Sequence, residues 1–168
     1  MSWTQPKTWV NEPLIASDLN THLRDNLEAL KNPPQGGTNI DNSTDYATSA
    51  TSFVDVDSTD FSTTLTTNGG DVLVTLAANV RANSASLIMF FDITLDGVRC
   101  GGDDGILRKE VRNFSDEICL LYWIKDVPAG EHTVRLQWHM NSGSGTLLGG
   151  QGSATEQLHG QWDVREVS

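Results

Sequence analysis

The feature that most constrains this chain is a change of hydrophobic period near residue 51. Beyond it, apolar residues recur at every second position. Val72, Val74, Leu76, Ala78 and Val80 form one run, broken only by Leu73. Leu87, Met89, Phe91, Ile93 and Leu95 form a second, and Val134, Leu136, Trp138 and Met140 a third. Side chains on a strand point alternately to opposite faces, so this period marks strands with one buried face. Residues 118–124, Ile-Cys-Leu-Leu-Tyr-Trp-Ile, are apolar at every position, as a central strand covered on both faces would be. Shorter candidate strands lie at 53–56, 61–66, 106–111 and 162–167, and turn sequences fall at 68–70, 96–97, 126–130 and 141–145. Roughly eight strands at regular spacing with no crossover helices predict a mainly β fold. The expected architecture is an antiparallel β-sandwich, jelly-roll-like in first place and immunoglobulin-like in second.

Ahead of the strands the pattern is different. Residues 1–16 carry Trp3 and Trp9 among Pro6 and Pro13, which discourage a helix and predict an extended arm. Two tryptophans in such an arm either fold back onto the β domain or enter pockets on a partner, since tryptophan is a preferred interface anchor. Residues 17–31 read as one short α-helix, with Ser17 as N-cap and Asp18 at the positive end. Leu19, Leu23, Leu27 and Leu30 form one stripe, and Arg24, Asp25, Glu28 and Lys31 cover the other side. Asn32-Pro33-Pro34 ends the helix. About four turns are not stable alone in water, so the stripe must be buried, on its own domain or on copies of itself. The Gly-, Asn-, Ser- and Thr-rich stretch that follows reads as a linker. The expected division is therefore an attachment and oligomerisation segment at 1–34, a linker at 35–50 and a β-sandwich domain at 51–168.

Charge narrows the partners. The 168 residues hold 11 basic and 22 acidic side chains, a formal charge of −11. Such a chain repels phosphate backbones and anionic membrane surfaces, which argues against nucleic acid as a partner. No run approaches the roughly 20 apolar residues that span a bilayer, and the first residues lack the pattern of a secretory signal. The expectation is synthesis in a cytoplasm without insertion into a membrane. Cys100 and Cys119 are then expected as reduced, partly buried residues.

Nothing in the chain spells out chemistry. Nucleophile-elbow, zincin, P-loop and dinucleotide motifs are absent. The loop Gly101-Gly102-Asp103-Asp104-Gly105 is the best metal candidate, yet it lacks the spaced oxygens of a calcium loop and reads as a solvated turn. His22, His132, His139 and His159 have no metal-ligand spacing, and His132 and His139 should face opposite sides of one strand. Tyr122, Trp123, Trp138 and Trp162 could stack on sugars but read better as core or subunit contacts. No catalytic residue, cofactor or metal is expected, and the chain is not expected to be an enzyme.

One segment carries a family resemblance. Trp9, a short gap and then Leu14-Ile15-Ala16-Ser17-Asp18-Leu19-Asn20-Thr21-His22-Leu23-Arg24-Asp25-Asn26-Leu27 resemble a block that opens many tailed-bacteriophage virion proteins. There the helix reads approximately Leu-Thr-Ala-Ala-Asp-Leu-Asn-x-His-Leu-Arg-Asp-Asn-Leu; here Ile15-Ala16-Ser17 replaces Thr-Ala-Ala. The likeness covers about the first fifth of the chain. The remainder is similar in pattern to the trimeric jelly-roll domains of phage fibres, head decorations and the C1q/TNF-like group, through Asp126-Val127-Pro128-Ala129-Gly130-Glu131-His132-Thr133-Val134. The resemblance implies a non-enzymatic virion structural protein, a homotrimer assembled in the host cytoplasm. Its arm and helix (Trp3, Trp9, Leu19, Leu23, Leu27 and Leu30) would contact other virion proteins or one another. A receptor- or glycan-binding tail-fibre tip and a capsid decoration protein are the alternatives, the former bringing a host surface glycan or receptor as partner.

Overall fold

The structure is a computed structural model and describes residues 7, 8, 13, 15–40, 45–150 and 160–167. Trp3, Trp9 and His159 lie outside the described residues.

The helix opens at Ala16 rather than at the expected Ser17. Ile15 occupies the N-cap position in extended conformation, and no side chain caps the first turn. It runs as α1 (Ala16–Leu19), widens into a π-helical segment (Asn20–Asp25) and closes as α2 (Asn26–Lys31). Asn32 leaves helical geometry immediately before Pro33, as the clash between a proline ring and the preceding residue requires.

The strands follow at once. β1 (Gln35–Ile40) and β2 (Tyr46–Thr48) fall inside the stretch that reads as a linker. The reason lies in Gly36 and Gly37. A Cβ on Gly37 would run into the carbonyl oxygen of Trp162 and stand 2.9 Å from the Cα of Asp163. This glycine pair admits close approach of the neighbouring strand rather than flexibility.

The remaining strands are β3 (Val54–Asp55), β4 (Ser62–Ala82), β5 (Leu87–Leu95), β6 (Val98–Arg99), β7 (Leu107–Val111), β8 (Asp116–Met140), β9 (Gly145–Leu147) and β10 (Gly160–Val167). The path of hydrogen-bonded neighbours is β1-β10-β4-β8-β5-β6, antiparallel throughout. β7 adds to β5, β3 to β8, and β9 bridges β2 and β4.

Two long strands organise the fold. Asn68-Gly69-Gly70 and the 126–130 segment, both expected as turns, lie opposite each other inside the β4–β8 ladder, with Asn68 facing Ala129 and Gly70 facing Val127. Register shifts between Gly70 and Val72, and Asp126 (φ 54°) and Gly69 (φ 96°) take left-handed conformations. A bulge with such residues bends the strands without ending them. One half of the sandwich is therefore β1, β10, and the parts of β4 and β8 beyond the bend. The other is the remainder of β4 and β8 with β5, β6 and β7. Both halves close on one core: Phe61 packs edge-on against Trp162 at 6.3 Å, the Phe91 and Trp138 rings lie tilted to each other at 6.3 Å, and Trp162 Nε1 donates to Thr63 Oγ1 at 3.0 Å. The three alternating runs bury the residues their period marks, from Val72 to Val80, Met89 to Ile93 and Val134 to Met140. The fold is mainly β, an antiparallel sandwich preceded by one short helix.

The doubly covered strand is not 118–124. In that segment Ile118, Leu120 and Ile124 are buried, while Cys119, Leu121 and Trp123 face outward. Its hydrogen-bond partner is β4 on one side only among the described residues, so it is an edge. The strand covered on both faces is β5, where Asp92 and Thr94 are as buried as Phe91 and Ile93.

Candidate interaction surfaces

The helix stripe is turned outward. Leu23 is 53% exposed, Leu27 65% and Leu30 56%, and Ile15 is also exposed. Leu19 is half-buried. The better-covered side of the helix carries Thr21, His22, Asp25 and Asn26, of which Asn26 is buried and donates from Nδ2 to the carbonyl of His22 at 3.3 Å. The π-helical segment accompanies this polar inward side, since each wider turn rotates the following residues relative to a regular α-helix. Lys7 reaches Asp18 at 2.7 Å and ties the start of the helix to the arm.

A second apolar surface lies on β8, where Leu121 is 61% exposed and Trp123 42%. Leu73, Thr75 and Ala77 stand opposite Trp123, Leu121 and Cys119 in the ladder and share their face. Lys125 lies over the Trp123 ring, 4.7 Å from its centroid, and pairs with Asp71, whose carboxyl it holds below the usual range. The sequence signal was present in the unbroken apolar run, which a doubly covered strand and an edge with a contact face share.

The glycine-rich loop is built around an ion pair. Asp92 is fully buried; Oδ1 accepts from the amides of Ile93 and Gly101, each at 2.8 Å, and Oδ2 from Arg99 Nε at 2.7 Å. Arg99 donates onward to the carbonyl of Gly102 and stacks 3.7 Å over the ring of Phe53. A Cβ on Gly101 would stand 2.7 Å from Asp92 Oδ1, so the glycine is needed for the loop to close over the carboxylate. Among the described residues no cluster of three or more His, Cys, Asp or Glu is placed to hold a metal.

His132 and His139 are likewise held by neighbours within the fold. His139 stacks on Phe90 and meets Phe53 edge-on, with ring centroids 4.5 Å away in each case. His132 bridges two turns: Nδ1 lies 2.7 Å from Asp96 Oδ2 and Nε2 3.0 Å from the Pro128 carbonyl. Both partners are acceptors, so the arrangement favours the protonated ring, which can donate from both nitrogens. The Asp96 carboxylate raises the pKa of His132, and the Thr133 amide followed by His132 lowers that of Asp96.

Trp138 and Trp162 are core residues with no face free for a sugar, and Tyr122 is half-buried with its hydroxyl 3.4 Å from the Cys100 carbonyl. Trp123 alone of these four aromatics is exposed. Cys100 is half-buried, which pushes its thiol up, and Cys119 is exposed; both are free. A shallow polar groove of about 610 Å³ runs along β1 and β10, lined by Gln35, Asn39, Gln161, Asp163 and Arg165. Among the described residues no helix is long and apolar enough to cross a membrane.

No protein-family model matches the sequence, and comparison with curated proteins yields no significant match. Solved structures similar to this chain include the Eiger TNF of S. frugiperda, at 12% identity and a TM-score of 0.46 over 82% of this chain and 94% of that one. They also include a structure of infectious bursal disease virus (Gx strain), at 11% identity and a TM-score of 0.44 over 80% of this chain. This chain spans little more than a third, 37%, of that viral chain. A pentameric capsid protein from metagenomic phage sequences is similar at 11% identity and a TM-score of 0.25, over 98% of this chain and 88% of that one.

Proposed function

We propose that this chain is a non-enzymatic structural protein of a phage virion that self-associates and is held to the particle through its N-terminal arm and helix. The observation that carries the proposal is the outward leucine stripe, on a segment whose sequence resembles the opening block of tailed-phage virion proteins. Burying a leucine fully contributes roughly 1.5–3 kcal/mol. With more than half of each side chain still exposed, Leu23, Leu27 and Leu30 retain about 1–2 kcal/mol apiece for a partner. That supports contact with copies of the helix or with a neighbouring virion protein, with Trp3 and Trp9 as further anchors. Three copies is the number the resemblance implies.

The test replaces Leu23 and Leu27 together by aspartate. The expected results are a lower oligomer mass in solution and loss of the protein from purified particles. If mass and incorporation both stay at wild-type levels, the attachment mechanism is wrong. Labelled antibody on intact particles then separates a head decoration from a tail or fibre position.

A further inference from the structure

The β8 edge carries a second signal, independent of the helix. Glu117, Cys119, Leu121, Trp123 and Lys125 succeed one another on its outward face, so two large apolar side chains are flanked by one acid and one base. An exposed apolar patch rimmed by polar residues marks a site of interaction. Here the charges sit at the ends of the run and leave its centre open. We propose that a second copy of this chain covers this face, with Leu121 and Trp123 packed at the centre and Glu117 of one copy beside Lys125 of the next.

Charge argues for a copy over other partners. A chain of net charge −11 repels itself over most of its surface, and repels nucleic acid and anionic lipid. On this face each copy presents the acid that the other's base needs. Lys125 is already shared between Asp71 and the Trp123 ring, yet an ammonium has three donors and this one remains exposed. Opposite charges that meet across an interface set its register and exclude wrong partners. Tryptophan at the centre is the residue type that most often dominates interface energetics.

This inference rests on the self-association reading and places a contact surface in the β domain itself. Sedimentation of the full chain across the micromolar range tests it alongside the helix variant already described. The wild type is expected to be multimeric. Leu121→Asp with Trp123→Asp should weaken association by about tenfold or more, the size of a lost interface anchor. Glu117→Lys and Lys125→Glu should each weaken it, and the two together should restore it. All these positions are exposed, so the melting transition should survive; the charge variants decide the matter should the aspartates disturb folding. A wild-type mass in the aspartate variant, while the helix variant dissociates, would overturn this surface and leave the functional reading standing. A monomeric wild type would overturn both, and a charge-reversed pair that fails to restore association would overturn the register.

Discussion

Replacing Asp92 by alanine offers the sharpest test of how the sandwich is held together. The carboxylate is fully buried and accepts three hydrogen bonds, from Ile93 N, Gly101 N and Arg99 Nε. Its removal leaves two amides without their acceptor and a half-covered guanidinium without its counter-ion. Breaking a buried pair from one side typically costs about 3–5 kcal/mol. For a chain of this size each kcal/mol lowers Tm by roughly 2–4 °C, so the expected drop is roughly 6–20 °C. Calorimetry of Asp92→Ala, Arg99→Ala and the double variant measures it. The double variant should lose less than the sum of the singles, because the second change removes a group already stranded. Amide exchange in the 100–105 loop should speed up in Asp92→Ala before global unfolding. A loss below about 1 kcal/mol, the worth of one ordinary hydrogen bond, would refute the clamp. A rise in wild-type Tm on adding calcium would show that the loop takes a metal after all.

Other consequences are open to direct measurement. His132 is raised and Asp96 lowered relative to unfolded values of about 6.5 and 3.9, so their bridge is complete between those pH values. The histidine contribution is lost as pH rises through its folded pKa, and the aspartate contribution as pH falls through its own. Thermal melts should therefore show wild type losing about 1 kcal/mol relative to His132→Gln between pH 6 and pH 9, and parallel pH profiles would sink the bridge. Gly37→Ala pushes a methyl into the Trp162 backbone and should destabilise by about 1–3 kcal/mol, read as a lower denaturant midpoint; an unchanged midpoint would mean that β1 does not pair so closely. In the chain dissociated by Leu121→Asp with Trp123→Asp, thiol labelling should modify Cys119 well before Cys100, whose thiol is half-buried and raised, and equal rates would contradict their placement.

The strands with one buried face were legible because their period is itself a geometric statement. An alternation such as Val134, Leu136, Trp138 and Met140 can be satisfied only by a strand with a core on one side. Segment 118–124 was not legible in the same way. An unbroken apolar run fits both a doubly covered strand and an edge with one face turned outward, and only the neighbours distinguish them. The same ambiguity ran in the opposite direction at β5. Its Asp92 looks like a solvent-facing position, yet the 100–105 loop folds over it around Arg99. Gly36 and Gly37 suggested a flexible linker because close approach to Trp162 involves a residue more than a hundred positions away.

The leucine stripe shows where the two kinds of information divide. Sequence alone determined that residues 17–31 form a helix with a leucine stripe along one side, since spacing and propensity are local. The net charge of −11 is likewise a property of the sequence alone. Tertiary structure decided that Leu23, Leu27 and Leu30 are not spent on the chain's own core and that Leu121 and Trp123 stand beside open solvent. Burial is a property of what lies within a few ångströms in space, and period-counting along one chain carries no record of that.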